Sequence, residues 1–139
     1  MSKYVIHTDG ASKGNPGDAG IGIVISVPDG TTVREIGEYI GRTTNNVAEY
    51  KALIRGLREC LRLGAASVEI STDSELLVRQ IAGVYKVKSA NLKPLHAEVM
   101  SLLGCFRSVG ISHVIREFNK RADELANEGV GKKDRPRGE

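Results

Sequence analysis

Residues 3–40 read KYVIHTDGASKGNPGDAGIGIVISVPDGTTVREIGEYI, and how this stretch folds decides the rest of the chain. Residues 3–8 are dense in β-forming side chains (Tyr4, Val5, Ile6). Residues 19–27 alternate glycine with isoleucine and continue into Val24-Ile25. Pro28-Asp29-Gly30 is a tight-turn signal, and residues 31–40 follow it as a third strand. With Gly14-Asn15-Pro16-Gly17 as the first connection, the stretch predicts an antiparallel three-strand meander.

Beyond it, Val47, Tyr50, Ile54, Leu57 and Leu61 recur at helical spacing, predicting a long helix over 46–63 that Gly64 stops. The pattern then predicts a strand at 67–72, a short helix at 75–81, a helix at 92–106, a strand at 111–118 and a helix at 120–129. Pro94 is tolerated in the first turn of its helix. The order βββαβααβα implies an α/β fold: a five-stranded mixed sheet, meander plus two parallel strands, with helices on both faces.

A chain of 139 residues supports one domain; its expected extent is 1–131, with 132–139 a charged, flexible tail. Net charge is +3. Any nucleic-acid contact must therefore come from a localised patch rather than a general cationic surface. Cys60 and Cys105 both fall in apolar periodic segments and read as small buried hydrophobes, although a bridge between them stays open. The sequence shows no zinc-type cluster and no membrane-length apolar run, and no signal peptide is expected. The expectation is a cytoplasmic monomer with no membrane or obligatory protein partner.

Four acids stand at informative places. Asp9 ends the first strand, Glu49 lies in the first turn of the long helix, Asp73 ends the fourth strand, and Asp123 opens the last helix. Each has a structural explanation. Asn46 with Glu49 could form a capping box, Thr72 with Glu75 another, and Asp123 suits a helix dipole. Sites in α/β sheets, however, gather at the carboxyl ends of parallel strands. Clustered carboxylates repel unless cations neutralise them, and hard oxygen ligands suit Mg²⁺ or Mn²⁺. A pair of such ions promotes in-line phosphoryl displacement, so the pattern points to phosphodiester hydrolysis.

Five ordered motifs closely resemble those of type 1 ribonuclease H: Thr8-Asp9-Gly10, Gly14-Asn15-Pro16-Gly17, Thr44-Asn45-Asn46-x-x-Glu49, Thr72-Asp73-Ser74 and Ala122-Asp123-x-Leu125-Ala126. The resemblance spans about residues 3–130. It implies the ribonuclease H-like fold and cleavage of the RNA strand of RNA–DNA hybrids, leaving 5′-phosphate and 3′-hydroxyl ends. It implies two Mg²⁺ ions, with Mn²⁺ as a possible substitute. Asp9 would bridge them, Glu49 and Asp73 would complete one shell, and Asp123 the other. Asn15, Asn45 and Asn46 match positions that contact the hybrid minor groove, where the 2′-hydroxyl marks RNA. Gly10 would allow close backbone approach. Thr44 and Asn91 match a pocket for a DNA-strand phosphate, with Lys86, Lys88 and Lys93 nearby in sequence.

The chain also departs from the pattern. No His stands in the Ile115–Ala122 run before Asp123, the 84–91 link is too short for a basic protrusion, and Glu75 replaces a common Gln. His7, His96 and His113 read as structural. The main rival is a non-catalytic binder of hybrids or double-stranded RNA on the same scaffold. A DNA-directed nuclease or strand-transferase and a small-molecule phosphatase are more distant alternatives.

Overall fold

The computed structural model describes residues 2–133. The elements run β1 (Lys3–Gly14), β2 (Gly17–Ser26), β3 (Thr32–Thr43), α1 (Asn45–Arg62), β4 (Ser67–Thr72), α2 (Glu75–Ile81), α3 (Lys93–Leu103), β5 (Ser108–His113), a 3₁₀ turn (Arg116–Asn119) and α4 (Lys120–Val130). One sheet has the order β3-β2-β1-β4-β5. The meander is antiparallel, and β4 and β5 run parallel to β1. The mixed α/β architecture expected from the sequence is the one observed.

Strand alternation sorts β1 onto two faces. Ile6, Thr8 and Gly10 turn toward α1, and His7 faces α4 from the other side. On the α1 face Tyr50, Leu53 and Leu57 close over Ile6, Ile23, Ile25, Val68 and Ile70, all buried. Each such side chain contributes roughly 1.5–3 kcal/mol relative to exposure. Leu61 is only partly buried at the edge of this cluster.

The other face packs differently. Alpha-carbon faces, rather than long side chains, meet α4. A Cβ on Gly22 would stand 2.0 Å from the Ala122 carbonyl oxygen, and one on Gly20 2.3 Å from that of Ala126. Gly129 returns the arrangement from the helix side, 2.4 Å from the Glu38 oxygen. The helix backbone therefore lies directly on the strands, and no larger residue fits between them. Val24, Ala122 and Leu125 form the small apolar cluster beside this contact. Arg121, paired with Glu35, Glu124 and Glu128, ties α4 to β3 at the rim.

Several boundaries move from those expected. β1 does not end at Thr8 but continues to Gly14, so Asp9 lies inside a strand rather than at its end. The fifth strand is Ser108–His113, not 111–118. Its partner β4 stops at Thr72, the last pair is Thr72 with His113, and the chain beyond turns into 3₁₀ geometry once no ladder remains. The third helix starts at Lys93 and ends at Leu103, short of Phe106. Cys105 is exposed, contrary to expectation; Cys60 is buried, and both are free. His113 is exposed as well. Of the expected flexible tail, Lys132 donates to the Gly37 carbonyl and Lys133 pairs with Asp18 at 2.9 Å; residues 134–139 lie outside the described residues. Among the described residues no helix is long and apolar enough to cross a membrane.

Candidate active site

The β1–β4 ladder ends at Thr8–Thr72, so the next residue on each strand is an acid: Asp9 continuing along β1, Asp73 leaving the sheet. Two carboxylates thereby emerge at one edge. Glu49 arrives from α1. Thr44 caps that helix, accepting from the Val47 N–H at 3.3 Å, so Glu49 lies past the first turn and the expected Asn46 capping box is absent. Thr72 likewise is not the cap of α2; Ser74 is. α1 crosses β1 at Gly10, where an added Cβ would come within 2.4 Å of the Ala48 carbonyl carbon. The same Gly10 donates its N–H to Glu49 Oε1. Its missing side chain thus serves the helix crossing, and its amide fixes a carboxylate.

Ligand atoms of Asp9, Glu49 and Asp73 all lie within 4.8 Å of one another. Asp9 and Glu49 are each only 6% exposed. Asp123, in the first turn of α4, stands outside that mutual triplet, but its charge is among those that raise the Asp9 carboxyl. Asn127, one turn on, donates to the Asp123 carbonyl at 3.0 Å. Burial first, then the charge of Glu49, pushes the Asp9 carboxyl up to about 9. Burial also raises Glu49, to about 8, against the lowering effect of the Gly10 N–H.

No Lys or Arg among the described residues forms an ion pair with Asp9, Glu49 or Asp73. Arg116 does reach Asp123, at 3.5 Å, from the run where no His occurs. Three converging oxygen ligands, two buried and one half-buried, that repel one another and have no Lys or Arg ion pair are the donor set a hard divalent cation fits.

Sequence reasoning missed Asn119. It is 1% exposed, and its side-chain N–H donates to the Thr8 carbonyl at 2.9 Å, one residue before Asp9. A polar residue before a helix reads as a cap, but Asn119 makes no capping bond to α4. Its Oδ1 is buried without a partner. Four residues upstream of Phe118, Val114 donates its N–H to the Thr72 carbonyl at 2.9 Å, one residue before Asp73. The 114–119 segment is thus an arch with a foot beside each strand acid.

Of the residues expected to bind substrate, four gather. Asn15 Oδ1 accepts from the Asn45 N–H at 3.0 Å, docking the tip of the β1–β2 hairpin onto the start of α1, where Thr44 and exposed Asn46 also lie. Asn91 lies apart in sequence, exposed in the turn before α3; among the described residues no hydrogen bond joins its side chain to that group. Lys86, Lys88 and Lys93 are exposed around it.

Residues 7–129 match the family model described as Reverse transcriptase-like. A bifunctional protein of Mycobacterium tuberculosis is 44% identical over 92% of this chain, which spans only 35% of that protein's length. Ribonuclease H of Marinobacter nauticus is 38% identical, over 92% of this chain and 94% of its own. The crystal structure of LC11-RNase H1 in complex with an RNA/DNA hybrid, a protein isolated from compost, superposes with a TM-score of 0.88 at 47% identity, covering 93% of this chain and 97% of that one.

Proposed function

This chain belongs to the ribonuclease H family, and from that premise we propose that it is an endonuclease hydrolysing the RNA strand of RNA–DNA hybrids. The observation that carries the reading is the convergence of buried Asp9 and Glu49 with half-buried Asp73 at the carboxyl ends of β1 and β4, with the charge of Asp123 also acting on Asp9. Support for the substrate comes from the hybrid-bound structural relative.

Asp9, Glu49, Asp73 and Asp123 are the residues to hold two Mg²⁺ ions, or Mn²⁺ in their place. Such ions supply activation of a water and stabilisation of the departing 3′ oxygen, for 5′-phosphate and 3′-hydroxyl products. The chain's own residues prepare that chemistry. Asp9 is the acid on which Glu49, Asp73 and Asp123 all act, and it would hold metal together with them. The Gly10 N–H keeps Glu49 Oε1 oriented, and Asn119 keeps the start of α4 against β1. Burial and mutual repulsion favour the protonated forms of Asp9 and Glu49, and a bound cation would favour the ionised ones.

In substrate recognition, Asn15 retains its NH₂ donors after accepting from Asn45, and Asn45 and Asn46 present short polar groups suited to the 2′-hydroxyl side of a minor groove. Gly10, expected to allow close backbone approach of the RNA, is buried against α1, and its part in the site is to orient Glu49 through its N–H. The Thr44 hydroxyl accepts from Val47, which leaves its proton for a phosphate oxygen; Asn91 is assigned to the same DNA strand. The ribonuclease H domain is assigned to 1–131, ahead of a charged tail at 132–139.

Labelled RNA–DNA hybrid, duplex DNA and duplex RNA, each incubated with Mg²⁺, Mn²⁺ or EDTA, test the reading. The expected result is hybrid-only cleavage of RNA, abolished by EDTA and by Asp9→Asn. Cutting of duplex DNA refutes the substrate assignment, and tight hybrid binding without cutting makes the chain a binding module.

A further inference from the structure

Glu49 and Asp73 come to the site on separate elements, and no strand pair holds either of them. The ladders of β4 with β1 and β5 both end at Thr72, so Asp73 lies one residue beyond the last pair, at the entrance to α2. Glu49 belongs to α1. The near end of α2 is tied to β4, where the Ser74 N–H donates to the Thr72 hydroxyl oxygen at 3.2 Å. The far end is tied to α1. Tyr50, next to Glu49 in sequence, donates its phenol hydrogen to Gln80 Oε1 at 2.5 Å, and both residues are buried. Among the described residues this is the one side-chain hydrogen bond between the two helices. α3 closes the same corner: His96 Nε2 lies 3.3 Å from the Gln80 carbonyl oxygen, and its ring meets that of Tyr50 edge-on at 6.4 Å. Burial pushes the Tyr50 hydroxyl up to about 12, so it remains a donor at neutral pH.

We propose that Tyr50 and Gln80 are positioning residues, a buried brace that holds α2 against α1 and thereby sets the spacing of Asp73 from Glu49. This rests on the ribonuclease H reading above. An apolar contact at this corner would supply burial but little direction, since each dispersion contact is weak. A hydrogen bond is directional and weakens steeply once its angle is lost. With both groups out of water, a shifted register leaves a polar atom without a partner, so the bonded register is favoured. α2 has seven residues, a length of about 10 Å at 1.5 Å per residue, and it is held at both ends. Asp73 stands at the β4 end, so movement at the Gln80 end tilts the helix about the residue that carries the carboxylate. Glu49 needs no such help, because the Gly10 N–H already fixes its Oε1. The brace acts on Asp73, the half-buried member of the triplet.

The parent, Tyr50→Phe and the double variant Tyr50→Phe/Gln80→Met are compared by Tm, by calorimetric Mg²⁺ affinity, and by kcat and KM on labelled hybrid. Affinity and kinetics are measured well below the lowest Tm, so every variant is compared folded. Tyr50→Phe leaves Gln80 Oε1 without its donor, so Tm should fall by several degrees. The double variant replaces the bonded pair by an apolar pair of similar shape, which should return Tm to within about 2 °C of the parent. A merely structural bond predicts that function returns with it. The brace predicts that kcat stays down about tenfold or more with KM within about twofold, and that Mg²⁺ binds about tenfold more weakly. Recovery of kcat and Mg²⁺ affinity in the double variant overturns the proposal, as does Tyr50→Phe with both within about twofold of the parent. If Tyr50→Phe does not fold, Gln80→Asn, whose shorter side chain withdraws the acceptor, is judged by the same criteria. A parent that cuts no hybrid overturns the ribonuclease H reading alone, because Mg²⁺ calorimetry still decides the brace. A parent that neither cuts hybrid nor binds Mg²⁺ overturns both.

Discussion

Gly22→Ala tests whether the distance between Asp9 and Asp123 is set by backbone contact. Gly22 pairs with Asp9 across β1–β2, and its missing side chain faces α4. A Cβ there would lie 2.0 Å from the Ala122 oxygen and 2.5 Å from the Ala126 nitrogen. Real Cβ atoms essentially never approach closer than 3.0 Å, so the gap is short by 3.0 − 2.0, or 1.0 Å. Both obstacles are backbone atoms, and no rotamer change relieves them. α4 must retreat by at least that much, carrying Asp123, the next residue after Ala122. Overpacking of this kind costs about 1–3 kcal/mol, roughly 3–12 °C in Tm at this chain length. An ångström of misplacement at a catalytic ligand costs on the order of 100-fold in rate. The assays are Tm by circular dichroism and kcat for hybrid cleavage across a Mg²⁺ titration. Gly104→Ala is the control, because its Cβ would make only an ordinary 3.4 Å contact with the Ser101 oxygen. If Gly22→Ala keeps Tm within about 1 °C and kcat within about twofold of the parent, the contact is not what spaces the acids.

Asp9→Asn should abolish cleavage yet raise the metal-free Tm at neutral pH by roughly 3–6 °C, because folding no longer has to bury a carboxylate or take up the proton that neutralises it; a lower Tm refutes the argument. The folded protein holds protons on Asp9 and Glu49 more tightly than the unfolded chain does, since both are raised. Metal-free stability should therefore fall as pH climbs from about 4 toward 9. The Tm increment from Mg²⁺ should grow over pH 6–9, and calorimetry showing a flat increment contradicts it. Asn119→Ala removes a bond to Thr8 but also an unpaired buried oxygen, so Tm should fall by only a few degrees while kcat drops about tenfold or more and KM holds. Equal losses in Tm and none in kcat would make Asn119 merely structural. Iodoacetamide should label Cys105 in the native protein and reach Cys60, whose thiol burial pushes up to about 12, only after unfolding; mass spectrometry reads the difference.

The strands and α1 were legible because their burial pattern is periodic: Tyr50, Ile54 and Leu57 mark one helix face, and the Gly–Ile alternation of β2 marks two strand faces. Strand ends were less so. β1 runs past Asp9 because β2 still pairs with it, and β5 stops at His113 because β4 has stopped, conditions set by neighbours distant in sequence. The acids stood out through their places in ordered motifs. Asn119 did not, as its partner is 111 residues away. Nor did the use of Gly20 and Gly22. Alternation shows that they share a face, but not that a helix backbone lies against it.

With β1 in the middle of the sheet, the acids span the protein's hierarchy of local openings. Asp9 belongs to a strand laddered on both sides, which opens only with the whole fold, while Asp73 and the 114–119 arch adjoin the shorter strands near the β5 margin. Any ligand gripping all the acids fastens that margin to the centre. Amide exchange should therefore slow on ligand binding in the turn after β4 and along the arch, while β1, already protected, changes little.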